Sequence, residues 1–289
     1  MLEVVKSDVA KLNVVVAGAA GKMGQRIGAL AVEGPDTALA GAFERQGHPS
    51  IGKDFGEVAG ISKTGVVISD GIGEILSKNG GINVGTGAGI DVVIDFTVPE
   101  STLLNAKTCA GHGGMAMVIG TTGLTDDQVR ELKSYATSIA VVFAPNMSVG
   151  VNLLLKVLQN VAATLGDDYD VEIIEAHHRL KKDAPSGTAL KMASVLASAL
   201  DRDLKETAVY CREGIIGQRS KKEIGIQTIR AGDIVGEHTV IFGGLGERIE
   251  ITHKASSRDT FARGALRAAL WLKGKPAGLY DMQDVLGLK

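Results

Sequence analysis

Residues 13–24 read NVVVAGAAGKMG, and this stretch decides the fold of the first half of the chain. A run of β-branched residues, typical of a strand buried on both faces, leads directly into glycines 18, 21 and 24 and then into a helix-like segment. Such glycines permit a tight turn and let backbone N–H groups approach a pyrophosphate at the helix N-terminus. The stretch predicts a dinucleotide-binding turn in a GxxGxxG variant, although a glycine-rich turn without a ligand is the alternative.

An acidic and a basic residue follow at the position that selects the nucleotide. Glu44 lies 20 residues beyond Gly24, just after the second predicted strand, and Arg45 is next to it. An acid there is suited to the ribose hydroxyls of NAD, whereas a base accommodates the phosphate of NADP. The pair predicts weak discrimination between NADH and NADPH, and the alternative is two solvated loop charges.

Short apolar runs alternate with helix-like segments through the first half. Because the runs are nearly continuous in apolarity, they predict an α/β fold with a Rossmann-type doubly wound parallel sheet. The predicted strands are 13–17, 38–43, 92–96, 116–119 and 140–143, and the predicted helices are 22–32, 100–110 and 126–136. The glycine-rich stretch 79–89 predicts a surface loop. Loops 120–123 and 144–147 follow the fourth and fifth strands, where ligands bind in such sheets.

The pattern changes after residue 146, where strands cluster with few helices between them. This arrangement predicts a smaller α+β domain. Its predicted strands are 171–176, 225–230, 234–242 and 248–253, and its predicted helices are 149–165 and 188–200. A last helix, 259–273, has an apolar stripe that fits against either domain.

Composition excludes several classes of protein. The 289 residues carry a net charge of −2, which argues against bulk electrostatic binding of nucleic acid. The N-terminal residues have no signal-peptide pattern, and no continuous apolar run approaches the roughly 20 residues of a membrane span. Cys109 and Cys211 have no spacing typical of a zinc site or a disulfide framework. We therefore expect a cytoplasmic protein without metal, membrane or nucleic-acid partners.

A second dense cluster is EAHHRLKKDAPSGT at 175–188. Its cations precede a Pro-Ser-Gly-Thr turn into a helix, so a helix N-terminus and positive charge together predict a site for an anionic group, such as one with more than one carboxylate. Histidine and lysine in one such site also exchange protons near neutral pH. A solvated charge run is the alternative, and the neighbouring Arg and Lys disfavour a metal site.

The chain resembles the 4-hydroxy-tetrahydrodipicolinate reductase family over almost its whole length. The shared motifs are GAAGKMG (18–24), Glu44 with Arg45, DFT (95–97), GTTG (120–123), APNMSVGVN (144–152), EAHHRLKKDAPSGTAL (175–190), RAGDIVGEHTV (230–240) and HKASSRDTFARGALRAALWL (253–272). The loop 79–89 departs from the family, being longer and richer in glycine.

The resemblance implies reduction of a cyclic imine dicarboxylate, formed from aspartate semialdehyde and pyruvate, in lysine and diaminopimelate biosynthesis. NADH or NADPH would deliver hydride to ring C4 after the 4-hydroxyl leaves as water, giving tetrahydrodipicolinate. By motif position, His177 would donate and accept protons, Lys181 would donate a proton, and His178 with the amides of Gly187 and Thr188 would hold substrate carboxylates. The cofactor would be lined by Gly18, Ala19, Ala20, Gly21, Lys22, Met23, Glu44, Arg45, Gly120, Thr121, Thr122, Ala144, Pro145, Asn146 and Met147.

The resemblance also implies domain roles and assembly. Residues 1–147 and 258–289 would form the dinucleotide-binding domain, and 148–257 the substrate-binding and oligomerisation domain of a homotetramer. Two alternatives remain at this stage. Another Rossmann reductase would lack the HHxxK run before Pro-Ser-Gly-Thr, and a non-catalytic dinucleotide sensor would need no His/Lys cluster.

Overall fold

The computed structural model describes residues 10–78, 89–113 and 115–289. The chain forms two compact units. The first comprises Met1–Met147, Phe261–Gly287 and Lys289, and the second comprises Ser148–Thr260 and Leu288. The predicted surface loop 79–89 lies outside the described residues, except for Gly89.

The described residues form strands and helices in the following order. The strands are Leu12–Ala17 (β1), Thr37–Glu44 (β2), Ile68–Asp70 (β3), Val92–Asp95 (β4), Ala116–Ile119 (β5), Ala140–Phe143 (β6), Asp170–His177 (β7), Ala208–Val209 (β8), Ile224–Arg230 (β9), Gly236–Gly243 (β10), Arg248–Ala255 (β11) and Gly278–Tyr280 (β12). The helices are Lys22–Glu33 (α1), Phe55–Ala59 (α2), Ile72–Lys78 (α3), Pro99–Gly111 (α4), Asp126–Tyr135 (α5), Val149–Leu165 (α6), Gly187–Ala199 (α7), Leu204–Thr207 (α8), Asp259–Leu272 (α9) and Met282–Leu286 (α10).

The first unit is built on a parallel sheet in the order β12-β6-β5-β4-β1-β2-β3. Alternate residues of β1 point to opposite faces: Val14 and Val16 pack into one core cluster, and Val15 and Ala17 into the other. Helices α1 and α9 contribute to the first cluster, and α4 and α5 to the second. The predicted doubly wound parallel sheet is therefore confirmed, and the turns after β1 and β4 lie where the strand order reverses.

The second unit is a mixed sheet in the order β11-β10-β7-β9-β8. Strand β7 is its centre: it pairs parallel with β9 and antiparallel with β10. Buried side chains of α6 and α7, such as Leu158 and Met192, pack on the sheet together with Ile173 and Val240. The predicted α+β domain is confirmed in this architecture, and its central strand ends at His177.

One segment of the second unit, Val149–Asp168, is long and apolar enough to cross a membrane by length and composition alone. The core helix of a globular unit has the same properties. Leu154, Leu155, Leu158 and Ala162 are buried in the core cluster of this unit, which accounts for the apolar face of α6.

The structure adds short elements that the sequence patterns do not predict, including β3, α2, α10 and β12. Each has five residues or fewer, which is too short for periodicity to register. Helix α10 is instead fixed by a reciprocal capping box between Asp281 and Asp284.

Candidate active site

The glycine-rich turn of the first unit has the geometry that its sequence predicts. Gly18 has φ +63°, and its carbonyl accepts a hydrogen bond from the Gly21 N–H at 2.9 Å. A Cβ on Gly24 would lie 2.1 Å from that same carbonyl oxygen, so α1 can approach the turn only with glycine there. Helix α1 begins after Gly21 with no side-chain cap and no acidic residue in its first turn. Its first N–H groups therefore suit an anionic pyrophosphate.

Glu44 is buried against this turn. One of its carboxylate oxygens accepts a hydrogen bond from the Ala20 N–H at 2.9 Å, and the other accepts one from the Arg45 N–H at 3.2 Å. Arg45 itself is exposed. Glu44 is thus not a solvated loop charge, and the pair lies beside the predicted nucleotide-binding turn.

A buried carboxylate organises the ends of β4 and β5. Asp95 is fully buried and accepts hydrogen bonds from the hydroxyls of Thr97 at 2.6 Å, Thr102 at 3.2 Å and Thr121 at 3.3 Å. Its other oxygen accepts one from Asn105 Nδ2 at 2.8 Å. Asp95 therefore fixes the position of the GTTG loop, which begins after β5.

The remaining predicted cofactor residues differ in exposure. Thr122 and Pro145 are exposed, and Asn146 is half-buried. Met147 is buried in the core, and its carbonyl lies where a Cβ on Gly264 would stand. The Met147 side chain is therefore committed to packing.

The second unit gathers its polar residues around one carboxylate at the end of β7. Glu175 is fully buried, and its Oε2 lies 2.6 Å from His177 Nδ1. Its Oε1 accepts hydrogen bonds from the Ser186 N–H at 2.9 Å and the Thr228 hydroxyl at 3.2 Å. Arg230 binds both oxygens, each at 2.8 Å. The end of β7 and the beginning of α7 are thus held at one point.

His177 is buried at the carboxyl end of β7. Burial lowers its pKa, and the neighbouring Lys181 and Arg230 lower it further, whereas Glu175 opposes this shift. The ring of His238 packs edge-on against it with centroids 5.1 Å apart. Burial lowers the pKa of His238 to about 4, and its Nε2 lies 3.0 Å from the Ser186 hydroxyl.

The two lysines of the cluster differ in environment. Lys181 is half-buried, and its Nζ lies 2.9 Å from a carboxylate oxygen of Asp183. Lys182 is exposed. His178 is half-buried, and its Nδ1 is buried without a hydrogen-bond partner among the described residues.

Helix α7 begins next to this cluster. The Ser186 hydroxyl caps it by accepting a hydrogen bond from the Ala189 N–H at 3.2 Å. Gly187 and Thr188 are its first two residues, so their N–H groups point out of the N-terminal end of the helix. Its first turn holds no acidic residue. Within the described residues, no group of three or more His, Cys, Asp or Glu is arranged to hold a metal ion.

Two family models divide the chain between them. Residues 12–147 match the N-terminal part of dihydrodipicolinate reductase, and residues 150–286 match its C-terminal part. The chain belongs to the dihydrodipicolinate reductase family. This confirms the resemblance that the motifs indicate.

Curated relatives of this reductase agree over nearly their full length. The 4-hydroxy-tetrahydrodipicolinate reductase of Hahella chejuensis is 56% identical over 277 residues, which is 96% of this chain and 99% of that one. The enzyme of Syntrophus aciditrophicus is 54% identical over 278 residues, with the same coverage. The chain is therefore a pyridine-nucleotide-dependent oxidoreductase that reduces 4-hydroxy-tetrahydrodipicolinate with NADH or NADPH in lysine and diaminopimelate biosynthesis.

A solved structure shares the fold of this reductase. The dipicolinate-bound dihydrodipicolinate reductase from Paenisporosarcina sp. TG-14 aligns with a TM-score of 0.72 and 24% identity, covering 95% of this chain and 98% of that one. More distant structures, such as GenD2 from gentamicin A biosynthesis in complex with NAD, reach a TM-score of 0.57 at 14% identity. The shared architecture extends to both units of the reductase.

Sequence reasoning missed several polar residues that organise the reductase site. Arg230 and His238 are more than 50 residues from Glu175 along the chain and join it only through the pairing of β7 with β9 and β10. Glu175, Ser186, Arg230 and His238 all lie in the quoted motifs, but none of them carried a predicted role. The period-two alternation of β7 was a usable signal, because Glu175 and His177 point to the same face of the strand.

Proposed function

We propose that the second unit supplies the acid–base and carboxylate-binding groups of this reduction. In this proposal His177 donates and accepts protons, Lys181 donates a proton, and His178 and the N–H groups of Gly187 and Thr188 hold the substrate's carboxylates. The observation that carries it is the shared carboxylate of Glu175, which binds both the His177 ring and the N-terminus of α7. An acid–base group and an anion site are therefore held side by side.

The chemistry of the substrate fits these groups. Loss of the 4-hydroxyl as water needs a proton, which a positioned His or Lys supplies. Two carboxylates need hydrogen-bond donors and positive charge, which a helix N-terminus and adjacent cations supply. The ion pair with Asp183 holds the Lys181 side chain close to the loop that precedes α7.

The predicted dinucleotide-binding domain, residues 1–147 with 258–289, is proposed to hold the dinucleotide, which supplies the hydride when it is bound. The uncapped start of α1 supports a pyrophosphate site at residues 18–23. Glu44 and Arg45 would contact the adenosine ribose and its phosphate, and the loops at 120–122 and 144–147 complete the site. The buried Met147 side chain leaves backbone atoms as the contribution of that residue.

Assembly and location form a further part of the proposal. Residues 148–257 are proposed to build a homotetramer in the cytoplasm. Strand β11 supports this because it is an edge strand with exposed residues, including Ile249. Light scattering after gel filtration tests it, and a mass four times the 30.0 kDa of the chain is expected. A mass of one chain would contradict it.

One assay tests the proposal as a whole. The condensation product of pyruvate and aspartate semialdehyde is made in situ, and oxidation of NADH or NADPH is followed by absorbance. We expect turnover that His177→Ala and Lys181→Ala each lower by about 10²–10⁴-fold, with binding of NADPH retained. Wild-type turnover in either variant would overturn the assignment of that residue.

A further inference from the structure

The hydrogen bonds of Glu175 identify which nitrogen of His177 carries a proton. Arg230 binds both carboxylate oxygens, and the Ser186 N–H and the Thr228 hydroxyl bind Oε1. Burial by itself would raise the pKa of Glu175, but Arg230, His177 and the Ser186 N–H together lower it to about 2. The carboxylate is therefore ionised at neutral pH and can only accept hydrogen bonds.

An acceptor 2.6 Å from His177 Nδ1 requires that this nitrogen be the donor. In the neutral ring, the proton then sits on Nδ1 and the lone pair on Nε2. A Cβ on Gly236, at the start of β10, would stand 3.1 Å from Nε2. Glycine at this position leaves room beside the nitrogen that is left to react.

Four titratable or charged groups surround the His177 ring from the elements packed against it. Glu175 lies on the same strand, Lys181 on the following loop, Arg230 on β9 and His238 on β10. Of these four groups, Glu175 is the carboxylate, and its Oε2 lies 2.6 Å from the ring. It is thus the group that can stabilise positive charge there.

We infer that Glu175 is a positioning residue for the proton transfer: it holds His177 as the Nδ1–H tautomer, so that Nε2 gives and takes the proton, and Arg230 keeps Glu175 in place. The inference rests on the proposed role of His177. The protonated ring transfers its Nε2 proton to the reacting group. Throughout this transfer, Nδ1–H continues to donate its hydrogen bond to Glu175. A purely structural Glu175 would tie β7 to α7 without fixing the tautomer.

The tautomer can be measured in the wild-type protein without any substitution. In ¹⁵N NMR spectra, the His177 resonances are assigned by their loss in His177→Ala. Above its pKa, we expect His177 to show the pattern of a protonated Nδ1 and an unprotonated Nε2. A ring protonated on Nε2 would overturn the inference, whether or not any variant folds.

The variant Glu175→Gln removes the charge with little change in shape. Because an opposite charge at hydrogen-bond distance raises a histidine pKa by about one to three units, the His177 pKa measured by NMR titration should fall by at least about one unit. The kcat should fall at least about tenfold, while the substrate KM changes less than about threefold. Glu175→Asp keeps the charge, so the His177 pKa should fall less in this variant than in Glu175→Gln.

Glu172→Gln is the matched control. Glu172 lies on the same strand, and its carboxylate is bound by two arginines, Arg212 and Arg219. The variant Glu172→Gln should leave the pKa and the tautomer of His177 unchanged, and the kcat of the enzyme unchanged. If Glu175→Gln behaves like this control while His177→Ala is inactive, the inference fails alone. If His177→Ala keeps wild-type turnover, the proposed function fails instead.

Discussion

The Glu44 carboxylate accepts a hydrogen bond from the Ala20 backbone N–H at 2.9 Å, which ties the end of β2 to the glycine-rich turn after β1. One carboxylate oxygen of Glu44 is thus already bound by the backbone, and the next residue, Arg45, is exposed. We expect this arrangement to favour neither nucleotide strongly.

Measured values of kcat/KM for NADH and NADPH should therefore differ by less than about 100-fold, or roughly 2.7 kcal/mol. Arg45→Ala should weaken use of NADPH more than use of NADH, because the 2′-phosphate loses a charge-assisted partner. Lys133→Ala, at the end of α5, is the control and should change neither. A ratio above 100-fold in the wild type would contradict dual use.

Lys181 and Lys182 should differ sharply in their effects on turnover. Lys181 is half-buried and ion-paired, and as a proton donor it should contribute about 10²–10⁴-fold to kcat. Lys182 is exposed, so Lys182→Ala should change kcat less than about tenfold, through screened electrostatics. Steady-state kinetics of the two alanine variants separates them, and equal losses would show that the proton-donor assignment is wrong.

His177 and His178 should also differ, although they are adjacent. His177→Ala should resemble Lys181→Ala in kcat, whereas His178→Ala should mainly raise the substrate KM, as loss of a binding contact does. Neither variant should change the affinity for NADPH, which binding measurements without substrate can test. A kcat loss in His178→Ala with an unchanged KM would contradict these roles.

Space beside His177 should matter as much as its hydrogen bond. Gly236→Ala would place a Cβ 3.1 Å from Nε2, and we expect kcat to fall at least about tenfold because the ring must move. Gly243→Ala, at the other end of β10, meets nothing within 4 Å and should be silent. Both variants should keep a wild-type melting temperature within a few degrees; equal activity in the two would exclude a role for this clearance.

The buried His238 should make stability depend on pH. Burial lowers its pKa from 6.5 to about 4 in the folded protein. Between these values the unfolded chain binds a proton that the folded protein does not, so stability falls as the pH is lowered from about 6.5 to about 4, by up to about 3 kcal/mol. His238→Asn should reduce the fall in melting temperature between pH 6.5 and pH 4, whereas His112→Asn, at an exposed site, should not. If the melting temperatures of the wild type and His238→Asn fall equally with pH, the prediction is wrong.

The sequence predicted those parts of the molecule that local patterns determine. The turn at Gly18, the long helix α6 and the start of α7 follow from glycine spacing, apolar periodicity and the Pro-Ser-Gly-Thr turn, and each of these patterns spans only neighbouring residues. The network around Glu175 could not be predicted in this way, since Arg230 reaches it only after β9 pairs with β7. Likewise, nothing in the APNM motif reveals that the Met147 side chain is buried in the core while its neighbour Pro145 is exposed.

The position of His177 at the end of the central strand should protect the amide hydrogens around it more strongly than those of the following loop. Strand β7 is hydrogen-bonded on both edges, whereas residues 179–184 form an irregular connection that includes exposed positions. Amide hydrogens around Glu175 should exchange with solvent only when the sheet itself opens, while those of the connection exchange through small local fluctuations. We therefore expect the hydrogen bond between Glu175 and His177 to persist during local fluctuations of the loop that carries Lys181.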